Sequence, residues 1–180
     1  MLQITIPPVE LWDEAKEEFF HTKEQTLQLE HSLVSLSKWE SRWEKSFLFT
    51  KDKTTEEVLD YIRCMTLTQN VKPETYYLLT QSNIEEVENY IKAPMTATTF
   101  TEDKKGKPNR EIVTAEIIYQ WMIALGIPFE CRKWHLNQLL TLIKVCTIKN
   151  DKPKKLSQRE IMSQNAALNE ARKKKLNSKG

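Results

Sequence analysis

Residues 32–48 read SLVSLSKWESRWEKSFL. Leu33, Leu36, Trp39, Trp43 and Phe47 recur at intervals of three, three, four and four. That spacing puts all five on one face of a helix. Upstream the period is two. Residues 2–6, LQITI, alternate apolar and polar and then meet Pro7 and Pro8, and residues 25–29, QTLQL, alternate again. Two short strands are predicted there, joined by residues 9–20 as a loop or short helix. The change of period at Ser32 therefore marks a small β element at 1–31 and the start of a helical domain over 32–150.

Downstream the helix signals repeat. Thr54 and Glu57 have the spacing of a capping box, in which two side chains satisfy the orphan amides of a first turn. Val58, Tyr61, Ile62 and Met65 form the stripe behind it. Pro73 suits a first helical position in PETYYLLT. Ser82 and Glu85 have the same capping spacing ahead of Ile84, Val87 and Ile91, and Pro94 ends that helix. Residues 93–110, APMTATTFTEDKKGKPNR, read as a Thr-rich strand-like piece and an exposed loop. EIVTAEIIYQWMIALGIP (111–128) is predicted helical, stopped by Gly126 and Pro128. FECRKWHLNQLLTLIKVCTIKN (129–150) is predicted as one further helix. Both are apolar on more than one face and so belong near the centre. The expected core includes Leu36, Trp39, Trp43, Ile62, Ile118, Trp121, Leu139 and Ile143. The fold class is mainly α.

The charge is uneven. Residues 149–180 carry ten Lys or Arg against three Asp or Glu, and residues 1–148 carry 17 against 22. The body is mildly acidic and the last thirty residues strongly basic, a balance that suits nucleic acid or the acidic body of a neighbouring copy. Within 151–180, Ser157 and Glu160 make a third capping box, with Leu156 and Ile161 placed as a hydrophobic staple. A helix over 157–175 follows, but its apolar set (Ile161, Met162, Leu168, Ala171) is thin. Short helices gain most of their stability from packing, so this one is marginal alone.

Chemical motifs are sparse. Glycine is 3 of 180 residues, which leaves no material for a Rossmann loop or P-loop. Cys64, Cys131 and Cys146 are odd in number and irregularly spaced, which points to reduced thiols and to no metal site. Arg132 and Lys133 beside Cys131 are the features that would lower a thiol pKa, but no base partner is visible and an inert thiol is the favoured reading. His21, His31 and His135 have no ligand spacing. His135, next to Trp134 on a leucine-rich segment, reads as structural, and His31 next to Glu30 as a candidate buried pair or pH-sensitive contact. Glu56, Glu57, Glu85 and Glu86 fit first-turn positions better than acid–base work. Around ALGIPF the pattern imitates a helix-turn-helix, but the second helix presents leucine and isoleucine where base-reading side chains are needed, so a packed helical hairpin is favoured. The basic segment has no aromatic residue for base stacking. Trp39 and Trp43, amid Lys38, Arg42 and Lys45, read either as core or as a docking surface. No catalytic residue, cofactor or metal is expected. There is no run of 18 apolar residues and no basic-then-apolar start, so neither a membrane span nor a secretory signal is expected.

Four segments together, LQLEHSLVSLSKWESRWEKSFL (27–48), NYIKAPMTATTF (89–100), EIIYQWMIALGIPFECRKWHLNQLLTLIKVC (116–146) and QNAALNEARKKKLNSKG (164–180), resemble small proteins encoded among the virion-structure genes of tailed bacteriophages. Within that group the chain is similar to tail assembly chaperones, helical proteins that coat the tape-measure protein and recruit tail-tube subunits. The resemblance covers about residues 25–180 and rests on structural signatures. It implies a non-enzymatic, multi-copy protein-binding role, with tail-tube, tape-measure or neck proteins and copies of the chain itself as partners. The setting it implies is the host cytoplasm during assembly, or the virion. A structural component of the neck or tail is the alternative, and a non-specific nucleic-acid binder the second. The expected protein contacts are Ile161, Met162, Leu168, Arg172 and Lys173 on the arm, with Trp39 and Trp43 on the body.

Overall fold

A computed structural model describes residues 1–13, 17–100, 112–150 and 158–176. The chain is mainly α with a small β element at its N-terminus. It forms two compact units, Met1–Cys146 and Thr147–Gly180.

Strand β1 (Leu2–Ile6) pairs antiparallel with β4 (Gln25–Leu29), in the register Ile4↔Leu27. Their alternation works as the sequence demands: Ile4, Ile6, Leu27 and Leu29 all turn into the core. Residues 9–20 do not form the expected loop or short helix. They contribute to a second antiparallel hairpin, β2 (Glu10–Asp13) and β3 (Glu18–His21), in which Trp12 and Phe19 sit opposite each other. The β element belongs to the same compact unit as the helices and is part of their body.

Helix α1 (Leu33–Trp43) is the central element, with α2 (Thr55–Met65), α4 (Ala115–Ala124) and the 3-10 turn Phe129–Lys133 packed on it. Leu33, Leu36 and Trp39 are fully enclosed. The helix stops earlier than the apolar spacing predicts. Glu44 adopts the left-handed conformation (φ 53°) and ends it, so Phe47 joins the core from the following turn.

Thr54 and Glu57 close the predicted capping box of α2. Helix α3 (Gln81–Lys92) starts at Thr80, whose side chain pairs with Asn83 and not, as expected, Ser82 with Glu85. Asn83 is the better partner because its side chain amide also donates to the Thr5 carbonyl and ties α3 to β1 (3.2 Å). Pro73 begins a 3-10 turn, Pro73–Leu78. The strand-like reading of 93–100 is not realised, since that stretch has no regular structure. The loop expected after it falls largely outside the described residues.

The single helix expected over 129–150 is broken in two. The 3-10 turn ends at Lys133, Trp134 is extended, and α5 runs Leu136–Asn150. The break arises because the chain at 135 is held elsewhere: Ser32 and His135 form a bridge, and the Leu136 amide donates to the His31 carbonyl at 2.7 Å. The expected hairpin of two packed helices is therefore interrupted by a turn seated on α1. Trp134 is exposed rather than central, and burial on α5 is confined to its first half, at Leu136, Leu139 and Ile143. Of the expected core, Trp43 and Trp121 are only half-buried. Gly126, at φ 64°, follows α4 as its stop signal requires.

Candidate functional site

Helix α6 (Gln158–Leu176) lies in the second unit. Every described side chain on it is exposed, including Met162 at 69% and Leu168 at 55%, with Arg172 and Lys173 beyond them. The expected arm contacts therefore fall on a single helix, with Met162 and Leu168 in water. The side chain of Ile161 and the capping residue Ser157 lie outside the described set.

Trp39 and Trp43 part company. Trp39 is fully enclosed and its indole N–H donates to the Glu57 carbonyl at 2.8 Å, so it cannot meet a partner and its expected docking role is corrected. Its position one turn inside the α1–α2 contact, among Phe47 and Tyr61, makes it core. Trp43 lines a cleft of about 110 Å³ between α1, α2 and the Pro73–Leu78 turn. Asp60 is the cleft's polar centre. It accepts from Arg42 (2.7 Å), Arg63 (2.9 Å) and the Trp43 indole (2.9 Å). A carboxylate held by two guanidiniums and an indole is an acceptor already committed, and its work is to join α1 to α2.

Two further carboxylates do similar work. Glu40, buried, accepts from the Phe47 amide (2.8 Å) and the Ala115 amide (2.7 Å). It thereby caps α4 from another helix, where Thr114 makes no side-chain cap. Burial raises its pKa, and the two amides oppose that rise. Glu57 accepts from Lys45 at 2.7 Å as well as closing its capping box. Lys45 beside it is the main cause that lowers its pKa. Sequence placed Glu57 correctly as a cap. Nothing in the spacing marked Glu40, whose partners lie 7 and 75 residues away.

The histidines form one buried cluster. His31 Nδ1 meets the Tyr61 hydroxyl at 2.5 Å, and its ring lies 5.1 Å from that of His135. His135 Nε2 donates to the Tyr90 carbonyl (3.0 Å), and its Nδ1 accepts from the Asn137 amide (3.3 Å). That arrangement suits a neutral ring. The expected Glu30–His31 pair is not made, because Glu30 accepts from the Tyr90 hydroxyl at 2.7 Å. Burial, with His135 next to it, lowers His31 to about 3. Burial likewise lowers His135 and raises Tyr61. At 1% exposure His31 has no route to a substrate, and the cluster reads as a polar link between β4, α2, α3 and α5. Cys131 is buried, and burial lifts the Cys64 thiol to about 11. Among the described residues no group of three or more His, Cys, Asp or Glu is placed to hold a metal. Nor is any helix among them long and apolar enough to cross a membrane.

Two surface features escaped the sequence reading. On the β2–β3 hairpin, Trp12 and Phe19 stack edge-to-face at 4.8 Å and stay exposed. Between α2 and α3 lies an apolar pocket of about 130 Å³, lined by Val58, Ile62, Ile84, Val87 and Ile91. The sequence shows only one wall of the pocket, Ile84 and Ile91 two turns apart on α3, because the other wall comes from α2.

Comparison of the chain with protein-family models, with curated proteins and with solved structures gave no match.

Proposed function

We propose that this chain is a non-enzymatic assembly protein of a tailed bacteriophage, acting through protein–protein contacts in the manner of a tail assembly chaperone. The observation that carries the reading is α6, a 19-residue helix whose described side chains are all exposed. A helix in a protein draws most of its stability from a packed face, and the exposed Met162 and Leu168 gain most by burial against another polypeptide. Its positive charge speeds encounter with acidic protein surfaces, and apolar contact then supplies the affinity. The resemblance of residues 25–180 to small phage virion-morphogenesis proteins gives the setting, with tail-tube, tape-measure or neck proteins as partners.

The test is a phage lacking this gene, with mass spectrometry of purified virions. Tailless particles in the knockout, with the protein absent from mature virions, support the chaperone role. Abundant protein in the virion indicates instead a structural component of neck or tail. Normal tails in the knockout overturn both. The exposed cations Arg172, Lys173 and Lys175 favour a second reading, non-specific nucleic-acid binding. That reading requires affinity for DNA that falls steeply with salt.

A further inference from the structure

We infer that the apolar pocket between α2 and α3 is a binding site for a short-chain aliphatic carboxylate, with the hydrocarbon tail inside and the anionic head on Lys53. The site is separate from the arm and needs no second copy of the chain.

The walls select the tail. They are the aliphatic side chains of α2 and α3 together with the Phe47 and Tyr61 rings, which stack on each other at 3.8 Å. The Tyr61 hydroxyl is already engaged by His31. The cavity holds about 130 Å³. An apolar cavity of about 150 Å³ stays dry and takes up one benzene, so the room here suits a tail of about four to six carbons. Filling it gives the lining atoms the contacts that empty space denies them.

The rim selects the head. Lys53 and Glu88 are the charged residues that line the pocket. Glu88 is neutralised by Lys92, one turn further along α3, at 2.9 Å. Lys53 has no carboxylate partner among the described residues. It is half-buried, its ammonium donates to the Thr50 carbonyl, and Nζ lies 4.3 Å from the centre of the Phe47 ring. Glu57, the carboxylate whose field reaches Lys53, is itself tied to Lys45 at 2.7 Å and to its own cap. Burial lowers the Lys53 pKa below its ordinary value, so the chain does not fully replace the hydration this ammonium has lost. An incoming carboxylate supplies what is missing, a charge-assisted hydrogen bond in a partly dry setting. An alcohol of the same length fills the pocket and leaves the cation as it was.

The experiment titrates the full chain with acetate, butanoate, hexanoate and decanoate, read by methyl NMR shifts of Ile62, Ile84 and Ile91 and by calorimetry. Affinity should rise about fourfold per methylene up to hexanoate and then level off as the cavity fills. Hexanoate should bind about fivefold more tightly than hexanol. Lys53→Met should erase that difference and leave hexanol binding unchanged. Ile84→Phe, which fills the pocket, should block both ligands; if it unfolds the body, the wild-type comparison and Lys53→Met decide alone. Isoleucine methyls that stay unshifted up to about 10 mM hexanoate overturn the inference. So does hexanol that binds as tightly as hexanoate. A gain that continues undiminished to decanoate marks adsorption on surface carbon and overturns the pocket as the site. Equal losses of hexanoate and hexanol in Lys53→Met give Lys53 a role in shaping the pocket and overturn it as the receiver of the head.

Discussion

Helices α2 and α6 carry the same start signal, Thr54-x-x-Glu57 in one and Ser157-x-x-Glu160 in the other, yet they end in opposite situations. On α2, Tyr61, Ile62 and Met65 are enclosed, Glu57 is tied to Lys45, and Asp60 gathers Arg42, Trp43 and Arg63. On α6 the described side chains are exposed. A capping box says where a helix begins; what holds the helix is the face it buries. The body should therefore respond sharply to single substitutions, and the arm hardly at all.

The largest effect is expected where α1 meets α2. Trp39→Ala removes a fully enclosed indole and its bond to the Glu57 carbonyl, and should cost about 3–5 kcal/mol in urea unfolding of the body. A loss under about 1 kcal/mol would place Trp39 outside the core and undo the contrast.

Glu40→Ala comes next. It strands two buried amides, those of Phe47 and Ala115, each worth about 1–3 kcal/mol when left without an acceptor. Glu40→Gln keeps one oxygen and should cost about half as much. Equal losses for Ala and Gln would mean that the charge, and not the acceptor pair, is what α4 requires.

The third prediction concerns pH. His31 is held near 3 in the folded chain, against an ordinary value near 6.5. The folded state thus favours the neutral ring, and the unfolded state takes up the proton first. Stability is fully present above about 6.5 and falls as pH drops toward 3, by up to about 1.4 kcal/mol per pH unit. The depressed His135 acts in the same direction. Glu57, whose pKa is lowered by Lys45, adds a loss only below the ordinary carboxylate range, while Glu40, whose pKa is raised by burial, works against it. His31→Gln should flatten the slope between about pH 6 and pH 5, above the ordinary carboxylate range. An unchanged slope there would assign the titration elsewhere.

The same division governs what the sequence made legible. Strands β1 and β4, helix α1 and the Thr54 cap depend on neighbours within a few residues, so period and spacing revealed them. The β2–β3 hairpin did not show because its decisive contact, Trp12 against Phe19, is a cross-strand pair inside an acidic stretch that lacks clean alternation. The break before α5 was hidden because apolar spacing runs on through Trp134, and what stops the 3-10 turn is a bridge to Ser32, 103 residues upstream. At the candidate site, the arm's exposed Met162 and Leu168 were legible from a thin apolar pattern. The pocket was not, since it needs α2 and α3 side by side.

The smallest effect belongs to the arm. Ala166→Pro puts a proline in the interior of α6, where it removes a backbone hydrogen bond and clashes with the preceding turn, at a cost of about 3 kcal/mol to that helix. The cost should stay local. Residue 166 is exposed, and α6 falls in a compact unit distinct from Met1–Cys146. The body's unfolding midpoint should therefore move by less than about 0.5 kcal/mol, as surface changes do, while circular dichroism records lost helix. Deletion of residues 151–180 should leave the midpoint equally still. A body that loosens under either change would show that α6 supplies core packing to its own subunit. The contrast between a knitted α2 and an unsupported α6 would then vanish, and with it the reason for the arm to seek a partner.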